Sequence, residues 1–156
     1  MGGLLVLGMV GFFARYQKYF ERGATSVGAR LHYWSSAYQT AIANPLFGSG
    51  PGTFSISFKK IKSPETEMAQ LTHNDYLEQA SDSGIIGFLS YFVFIFGSLS
   101  ILYRDRLIST DPFYFTIWLG VLGWALQCFF EFSLYVPALA WPAFLFLGWL
   151  LGSKRA

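Results

Sequence analysis

The sequence is poor in charged side chains and has almost no cysteine. Charged residues make up 13% of the 156 residues, about half the share in typical soluble domains, which argues against an ordinary soluble domain. Cys128 is the only cysteine, so no disulfide forms within the chain. The net charge of +2 gives no indication of nucleic-acid binding, and no His, Cys, Asp and Glu residues have the spacing of a metal site. We therefore expect neither a nucleic-acid partner nor a cofactor.

Long uncharged segments dominate the second half of the chain. Apolar residues account for 53% of the sequence and aromatic residues for 20%. Residues 85–103, 113–130 and 132–152 contain no charged side chain, and each approaches the roughly twenty residues that a helix needs to cross a bilayer. Glu131 alone separates the last two segments. The sequence predicts an all-α integral membrane protein with a transmembrane helix in each segment.

A shorter apolar segment lies at the N-terminus. Residues 2–14 are apolar but number only about two thirds of a full span. No basic stretch precedes them and no A-x-A cleavage site follows, which argues against a signal peptide. We interpret residues 1–14 as a partial transmembrane helix, and we expect the sequence to be the C-terminal part of a larger protein.

The orientation in the membrane follows from the short loops. Basic residues occur in the loop 104–112 and in the tail 153–156, whereas the turn after Glu131 has none. The positive-inside rule therefore predicts that 104–112 and 153–156 are cytoplasmic. Residues 15–84 then form a large loop on the outer side, and its basic residues count for little because long loops translocate largely regardless of charge.

The outer loop begins with a predicted amphipathic helix over residues 27–43. Leu31, Trp34, Tyr38 and Ile42 recur near helical spacing, as expected for one face of a helix. The helix should end at Asn44-Pro45, because a residue before proline avoids the helical conformation. Arg30 lies near its start, close to the apolar face.

A glycine-rich and proline-rich segment follows at residues 45–54. Gly48, Gly50 and Gly52 alternate with other small residues and Pro51, which indicates a tight turn. Glycine amides can also approach an anion, so contact with a phosphate is the alternative interpretation. The Gly-Lys-[ST] ending of a P-loop is absent.

His73 lies shortly before the first complete predicted span, residues 85–103. Thr72 and Asp75 match the [ST]-x-x-[DE] pattern that starts a helix, and Gly84 is a candidate C-cap or hinge. His73 would then lie in the first turn, where the helix dipole disfavours an imidazolium. A neutral imidazole at this boundary could act as a general base for a hydroxyl group. The alternative is that His73 only caps the helix beside the lipid headgroups.

Three acidic residues share one face of this short helix. Asp75, Glu78 and Asp82 are spaced three and four residues apart, which places them on the same side. We expect them to form a solvated stripe or to orient Arg30.

These motifs, in this order, resemble the O-antigen ligase and polymerase family of bacterial membrane glycosyltransferases. The resemblance covers about residues 15–103 and depends on Arg30 with Trp34 and Ala37, the segment from Asn44 to Phe54, and His73-Asn74 followed by Gly84-x-x-Gly87. It implies a multi-span helical bundle in the inner membrane. The outer loop would be a large periplasmic loop with short amphipathic helices.

The resemblance also implies a reaction and the residues that perform it. Such enzymes take a glycan from an undecaprenyl-pyrophosphate carrier, without a metal and with inversion at the sugar, and ligases pass it to lipid A–core. His73 matches the family's histidine and Arg30 its periplasmic arginine, with Arg15 and Arg22 as other candidates. The positions implied to contact substrate are Arg15, Asn74, Gly48, Gly50 and Gly52.

Other functions remain open at this point. Polymerases and protein O-oligosaccharyltransferases resemble ligases in these motifs. A non-catalytic membrane scaffold or a truncated remnant is the alternative from another class. The uncharged segments 85–103 and 113–130 argue against a transporter core, since charged residues within a membrane mark substrate pathways.

Overall fold

A computed structural model describes residues 25–153 except 63, 65, 105–107 and 109. The partial span predicted for 1–14 and the candidates Arg15 and Arg22 lie outside the described residues. Within them the defined elements are all helical and include no strand, which confirms the all-α prediction for this part of the chain. In chain order the elements are α1 (Thr25–Ala43), α2 (Phe54–Ile61), α3 (Asp75–Tyr103), α4 (Pro112–Gln127), a 3-10 helix (Ser133–Tyr135) and α5 (Pro137–Ser153).

One described helix, α3, is long and apolar enough to cross a membrane. It has 29 residues, whereas α4 has 16 and the apolar α5 has 17. Length and composition therefore support a crossing by α3. The crossings of 113–130 and 132–152 remain predictions, as does the cytoplasmic placement of 104–112 and 153–156.

The three long apolar helices pack together through a common core. Ile95 and Leu99 of α3 are almost fully buried, as are Val121 of α4 and Leu147 of α5. The indole of Trp118 donates a hydrogen bond to the carbonyl of Leu99 at 3.0 Å, which joins α4 to α3. Apolar contact therefore holds these helices together in the structure.

A helix over the predicted residues 27–43 is confirmed within α1, but Leu31, Tyr38 and Ile42 of the predicted apolar face point outward. Leu31, Tyr38 and Ile42 are 57%, 60% and 59% exposed. The buried face carries Tyr33, Ser36, Ala37 and Thr40 instead, and these mostly small residues let α1 lie closely against α3. The outward residues Leu31, Tyr38 and Ile42, which we call the α1 stripe, form an apolar surface beside Arg30.

A kink at Gly84 divides α3 into two parts. Gly84 has φ 65 and ψ −165, so the hinge interpretation of this glycine is confirmed. Its backbone touches the glycine-rich turn, since a Cβ at Gly84 would lie 2.4 Å from the carbonyl carbon of Leu46. Gly48 makes the reciprocal contact, with its Cβ position 2.3 Å from the carbonyl carbon of Asp82. Both glycines are therefore required by close backbone approach as well as by positive φ.

Hydrogen bonds lost from the helix at the kink are replaced by the glycine-rich turn. The carbonyls of Ser81 and Asp82 accept bonds from the amides of Ser49 and Gly50, each at 2.9 Å. In return the amide of Ile85 donates to the carbonyl of Pro45 at 2.8 Å. The turn and the kink therefore form one hydrogen-bonded unit, as buried backbone groups require.

The acidic face of α3 is buried, so the prediction of a solvated stripe is wrong. Asp75, Glu78 and Asp82 are between 0% and 2% exposed, and none of them contacts Arg30. Each carboxylate instead accepts a hydrogen bond from a backbone amide of a different loop. These pairs are Asp75 with Leu134 at 2.8 Å, Glu78 with Thr72 at 2.7 Å and Asp82 with Gly52 at 2.5 Å.

We expect Gly84→Ala to destabilise the protein by roughly 2–4 kcal/mol, through strain at positive φ and the clash with the glycine-rich turn. Gly120→Ala is the matched control, because a Cβ at Gly120 meets nothing within 4 Å. Thermal unfolding of the detergent-purified variants measures both effects. Equal melting temperatures for the two variants would contradict the requirement for glycine at 84.

We also expect a pH dependence of stability from the buried acids, which precede Gly84 and so lie outside the predicted 85–103 span. Burial raises the pKa of Glu78 to about 7, because desolvation disfavours the charged carboxylate. A pKa raised on folding means that stability is present at low pH and is lost as the pH rises through about 7. The side chain in Glu78→Gln cannot ionise. This variant should therefore avoid the loss of up to about 3 kcal/mol of stability that Glu78 causes in the wild type as the pH rises.

The measurement is the melting temperature from about pH 5 to 8, the range over which a carboxyl with this shift titrates. The wild-type protein should lose more stability over this range than Glu78→Gln. Glu67→Gln is the control, because Glu67 is exposed. Parallel curves for the wild type and Glu78→Gln would show that Glu78 does not titrate in this range.

Candidate active site

His73 lies immediately before α3 and not in its first turn. The N-cap is Asn74, whose side chain accepts a hydrogen bond from the amide of Leu77 at 3.0 Å. The assignment of Thr72 as N-cap is wrong, because Asn74 has the extended backbone of a cap and the Thr72 hydroxyl donates to its carbonyl at 2.7 Å. The helix-dipole argument for a neutral His73 therefore loses its basis.

The backbone of His73 is held in the left-handed conformation, with φ 54. This conformation is uncommon outside glycine, and neighbouring contacts maintain it. The preceding amide, of Thr72, donates to the buried carboxylate of Glu78, and the indole of Trp34 donates to the carbonyl of His73 at 3.4 Å. Such residues cluster at functional sites, so the geometry marks His73 as a candidate.

Aromatic rings surround the imidazole of His73 without closing it off. Tyr33 stacks on it with ring centroids 6.0 Å apart, and Phe132 meets it edge-on at 4.7 Å. The His73 side chain remains 31% exposed. Its ring is therefore held by packing yet accessible to solvent.

Glu131 joins the two predicted catalytic residues. Nη2 of Arg30 donates to Oε1 of Glu131, and Nδ1 of His73 lies 3.2 Å from Oε2 of the same carboxylate. Arg30 and His73 are 101 and 58 residues away from Glu131 along the chain. All three side chains are about one third exposed. The structure thus brings Arg30, His73 and Glu131 into one solvent-accessible cluster, which we call the Arg–Glu–His cluster.

The turn 128–136 carries Glu131 to this position. The amide of Asp75 donates to the carbonyl of Cys128 at 2.8 Å, and the Asp75 carboxylate accepts from the amide of Leu134. The side chain of Gln79 adds a hydrogen bond to the hydroxyl of Tyr135 at 3.2 Å. His73 lies two residues before the start of α3. Contacts from the first turns of α3 therefore hold the turn 128–136 opposite the imidazole.

Sequence reasoning treated Glu131 only as the boundary between two apolar segments. The signal that could have identified it was its isolation as a single charge between uncharged segments, since such charges mark functional sites in membrane proteins. Its pairing with Arg30 and His73 depends on tertiary contacts that no local pattern contains.

The glycine-rich turn lies away from this cluster and uses its amides internally. Gly48 donates to the carbonyl of Asn44, Gly50 to the carbonyl of Asp82, and Gly52 to the Asp82 carboxylate. Asp82 is about two helical turns along α3 from His73. In this arrangement the acceptor at the turn is the carboxyl group of Asp82, and the structural interpretation accounts for the glycines.

Two other residues predicted to contact substrate are Asn74 and Arg15. The Asn74 side chain is engaged in capping α3, and Arg15 lies outside the described residues. Substrate contacts by Arg15, Asn74, Gly48, Gly50 and Gly52 therefore remain predictions. In the part of the chain that the structure describes, no three His, Cys, Asp or Glu residues are grouped to hold a metal ion.

Chemically, the cluster combines a cation with a candidate base. Arg30 offers a guanidinium that can bind phosphate oxygens in pairs. With Nδ1 of His73 facing a carboxylate, Nε2 is the nitrogen left to accept a proton. This arrangement suits transfer to a hydroxyl from a phosphorylated leaving group.

Comparison with known proteins identifies the family. No curated protein and no solved structure matches the chain. A family model described as O-antigen ligase matches residues 1–92, which is more than half of the sequence and includes Arg30, the glycine-rich turn, His73 and Gly84. The family implies a membrane protein with glycosyltransferase-type activity of the O-antigen ligase or polymerase kind. The chain belongs to the O-antigen ligase family.

Proposed function

We propose that this protein transfers a glycan from undecaprenyl pyrophosphate to a hydroxyl of lipid A–core, as an O-antigen ligase. His73 is the general base and Arg30 binds the pyrophosphate. The observation that carries the proposal is the meeting of Arg30 and His73 on Glu131. Residues distant in the chain converge there at an accessible site beside the predicted membrane boundary.

The two roles follow from the demands of the reaction. The departing lipid pyrophosphate develops negative charge, and the Arg30 guanidinium can stabilise it through paired hydrogen bonds. A lost contact of this type costs about 2.7–4 kcal/mol of transition-state stabilisation. The acceptor hydroxyl is a weak nucleophile until a base removes its proton, and a positioned base contributes roughly a hundredfold to ten-thousandfold.

The α1 stripe gives the lipid part of the donor a surface. Leu31, Tyr38 and Ile42 are exposed on the same helix as Arg30. An apolar surface of this kind costs free energy in water and suits contact with a polyprenyl chain or with membrane lipids. The donor would lie with its pyrophosphate at Arg30 and its isoprenoid chain along α1, on the periplasmic side of the inner membrane.

We expect His73→Ala, introduced at the native locus, to lower glycan transfer at least about a hundredfold, because the acceptor loses its base. His32→Ala is the matched control, since His32 is the other histidine and is exposed on α1. The measurement is the surface-glycan ladder on a gel, with protein level determined in parallel. An unchanged ladder at normal protein level would refute the role of His73.

The same gel separates a ligase from a polymerase. Loss of the whole capped ladder with accumulation of lipid-linked glycan indicates a ligase. Retention of a single capped repeat without longer bands indicates a polymerase and would overturn the ligase assignment.

Arg30→Ala should lower kcat/KM by about a hundredfold to a thousandfold, through the loss of one charge-stabilising contact. Arg30→Lys should restore only part of this activity, because an ammonium group lacks the paired donors of the guanidinium. Initial rates with the purified protein and extracted lipid-linked glycan provide the comparison. Full activity of Arg30→Ala would exclude Arg30 as the pyrophosphate ligand.

Transfer should continue in the presence of a chelator, because the proposed mechanism neutralises the pyrophosphate with arginine. The assay compares initial rates with and without excess EDTA. A strict requirement for a divalent cation, restored by adding the metal back, would contradict this mechanism.

A further inference from the structure

We propose that Glu131 is a positioning residue that fixes the tautomer of His73 and orients Arg30 through the same carboxylate. The kinetic part of this inference rests on the proposed function. The tautomer part concerns only the folded protein and can be tested without any transfer activity.

The geometry of the carboxylate defines the tautomer. Oε2 of Glu131 faces Nδ1 of His73 at 3.2 Å, and Oε1 is engaged by Arg30. An ionised carboxylate only accepts hydrogen bonds, so Nδ1 of a neutral His73 must carry the proton. Nε2 then presents its lone pair, which is the form needed to remove a proton from a hydroxyl.

The charges around the imidazole make this carboxylate important during the reaction. When His73 takes a proton it becomes an imidazolium close to the Arg30 guanidinium, and the two cations repel. Glu131 lies between them and offsets this repulsion. Among the residues that the structure describes, the rings packed against the imidazole are those of Tyr33 and Phe132, and neither supplies a negative charge comparable to a carboxylate.

The separate use of the two oxygens lets Glu131 hold both partners at once. Arg30 is bound through Nη2 alone in the described contacts, so the guanidinium can keep this bond while its other donors face a phosphate. The side chain of Glu131 is 35% exposed, so donor and acceptor can approach the cluster.

The first test reads the tautomer directly by nuclear magnetic resonance. The chain has two histidines, so histidine-selective ¹⁵N labelling of the full chain in nanodiscs gives two imidazole patterns, and His32→Gln assigns them. At alkaline pH we expect His73 to show a protonated Nδ1 and an unprotonated Nε2. A wild-type His73 with the proton on Nε2 would overturn the inference.

Glu131→Gln should reverse the tautomer. Arg30 can only donate and will bind the amide oxygen, which turns the amide NH₂ toward Nδ1 of His73. Nδ1 must then accept, and the proton moves to Nε2. Glu67→Gln makes the same chemical change at an exposed position and should leave the spectrum unchanged. An unchanged His73 pattern in folded Glu131→Gln would also overturn the inference.

The second test measures transfer by the same variants. Glu131→Gln should lower kcat more than KM changes, by at least about tenfold, because the base is held in the wrong tautomer. A merely structural effect would lower the amount of folded enzyme and leave the tautomer of His73 in the folded fraction unchanged.

A double-mutant cycle separates positioning from general damage. In a His73→Ala background, Glu131→Gln should cost far less than it does in the wild type, because the group that it positions is gone. Additive losses would contradict the inference. If His73→Ala transfers normally, the proposed function fails, while the tautomer spectrum still decides the role of Glu131.

Discussion

The burial of three carboxylates on the first turns of α3 is the constraint on which the rest of this structure depends. Asp75, Glu78 and Asp82 each leave water, which is costly unless the charge or its hydrogen bonds are compensated. A backbone amide donates to one oxygen of each carboxyl group, and each amide comes from a different loop. One helix therefore anchors the turn 128–136, the segment that carries His73 and the glycine-rich turn. The three acidic residues of α3 bind the loops. Arg30 pairs with Glu131 instead.

The candidate active site is a consequence of this anchoring. Its residues come from α1, from the loop before α3 and from the turn after α4, so no single element contains the site. Asp75 contributes twice, because its amide and its carboxylate both bind the turn that carries Glu131. The aromatic neighbours of His73 then restrict the ring while leaving its edge accessible. Catalytic groups need this combination of fixed orientation and access.

Local patterns in the sequence predicted α1, the hinge at Gly84 and the residues that mark the family, because each depends on spacing or on backbone conformation. The predictions for Thr72 and for the acidic face of α3 were wrong for a shared reason. Capping patterns and helical periodicity do not show which loops will fold over a helix and require hydrogen-bond acceptors. Glu131 was missed because its partners are 58 and 101 residues away. Pairing over such distances is decided by tertiary packing and is invisible to a short window.

The close backbone approach between the glycine-rich turn and α3 has a consequence for the distance between the site and the predicted membrane span. The turn meets the helix at Leu46 with Gly84 and at Gly48 with Asp82 through backbone atoms, and Leu46 and Phe47 expose their side chains, by 58% and 76%. They do so where the predicted span begins. The straight helix from there to Asn74 is about 15 Å long. For a span that begins at residue 85, as predicted, the kink and the helix before it together set the distance from the start of the span to the imidazole of His73.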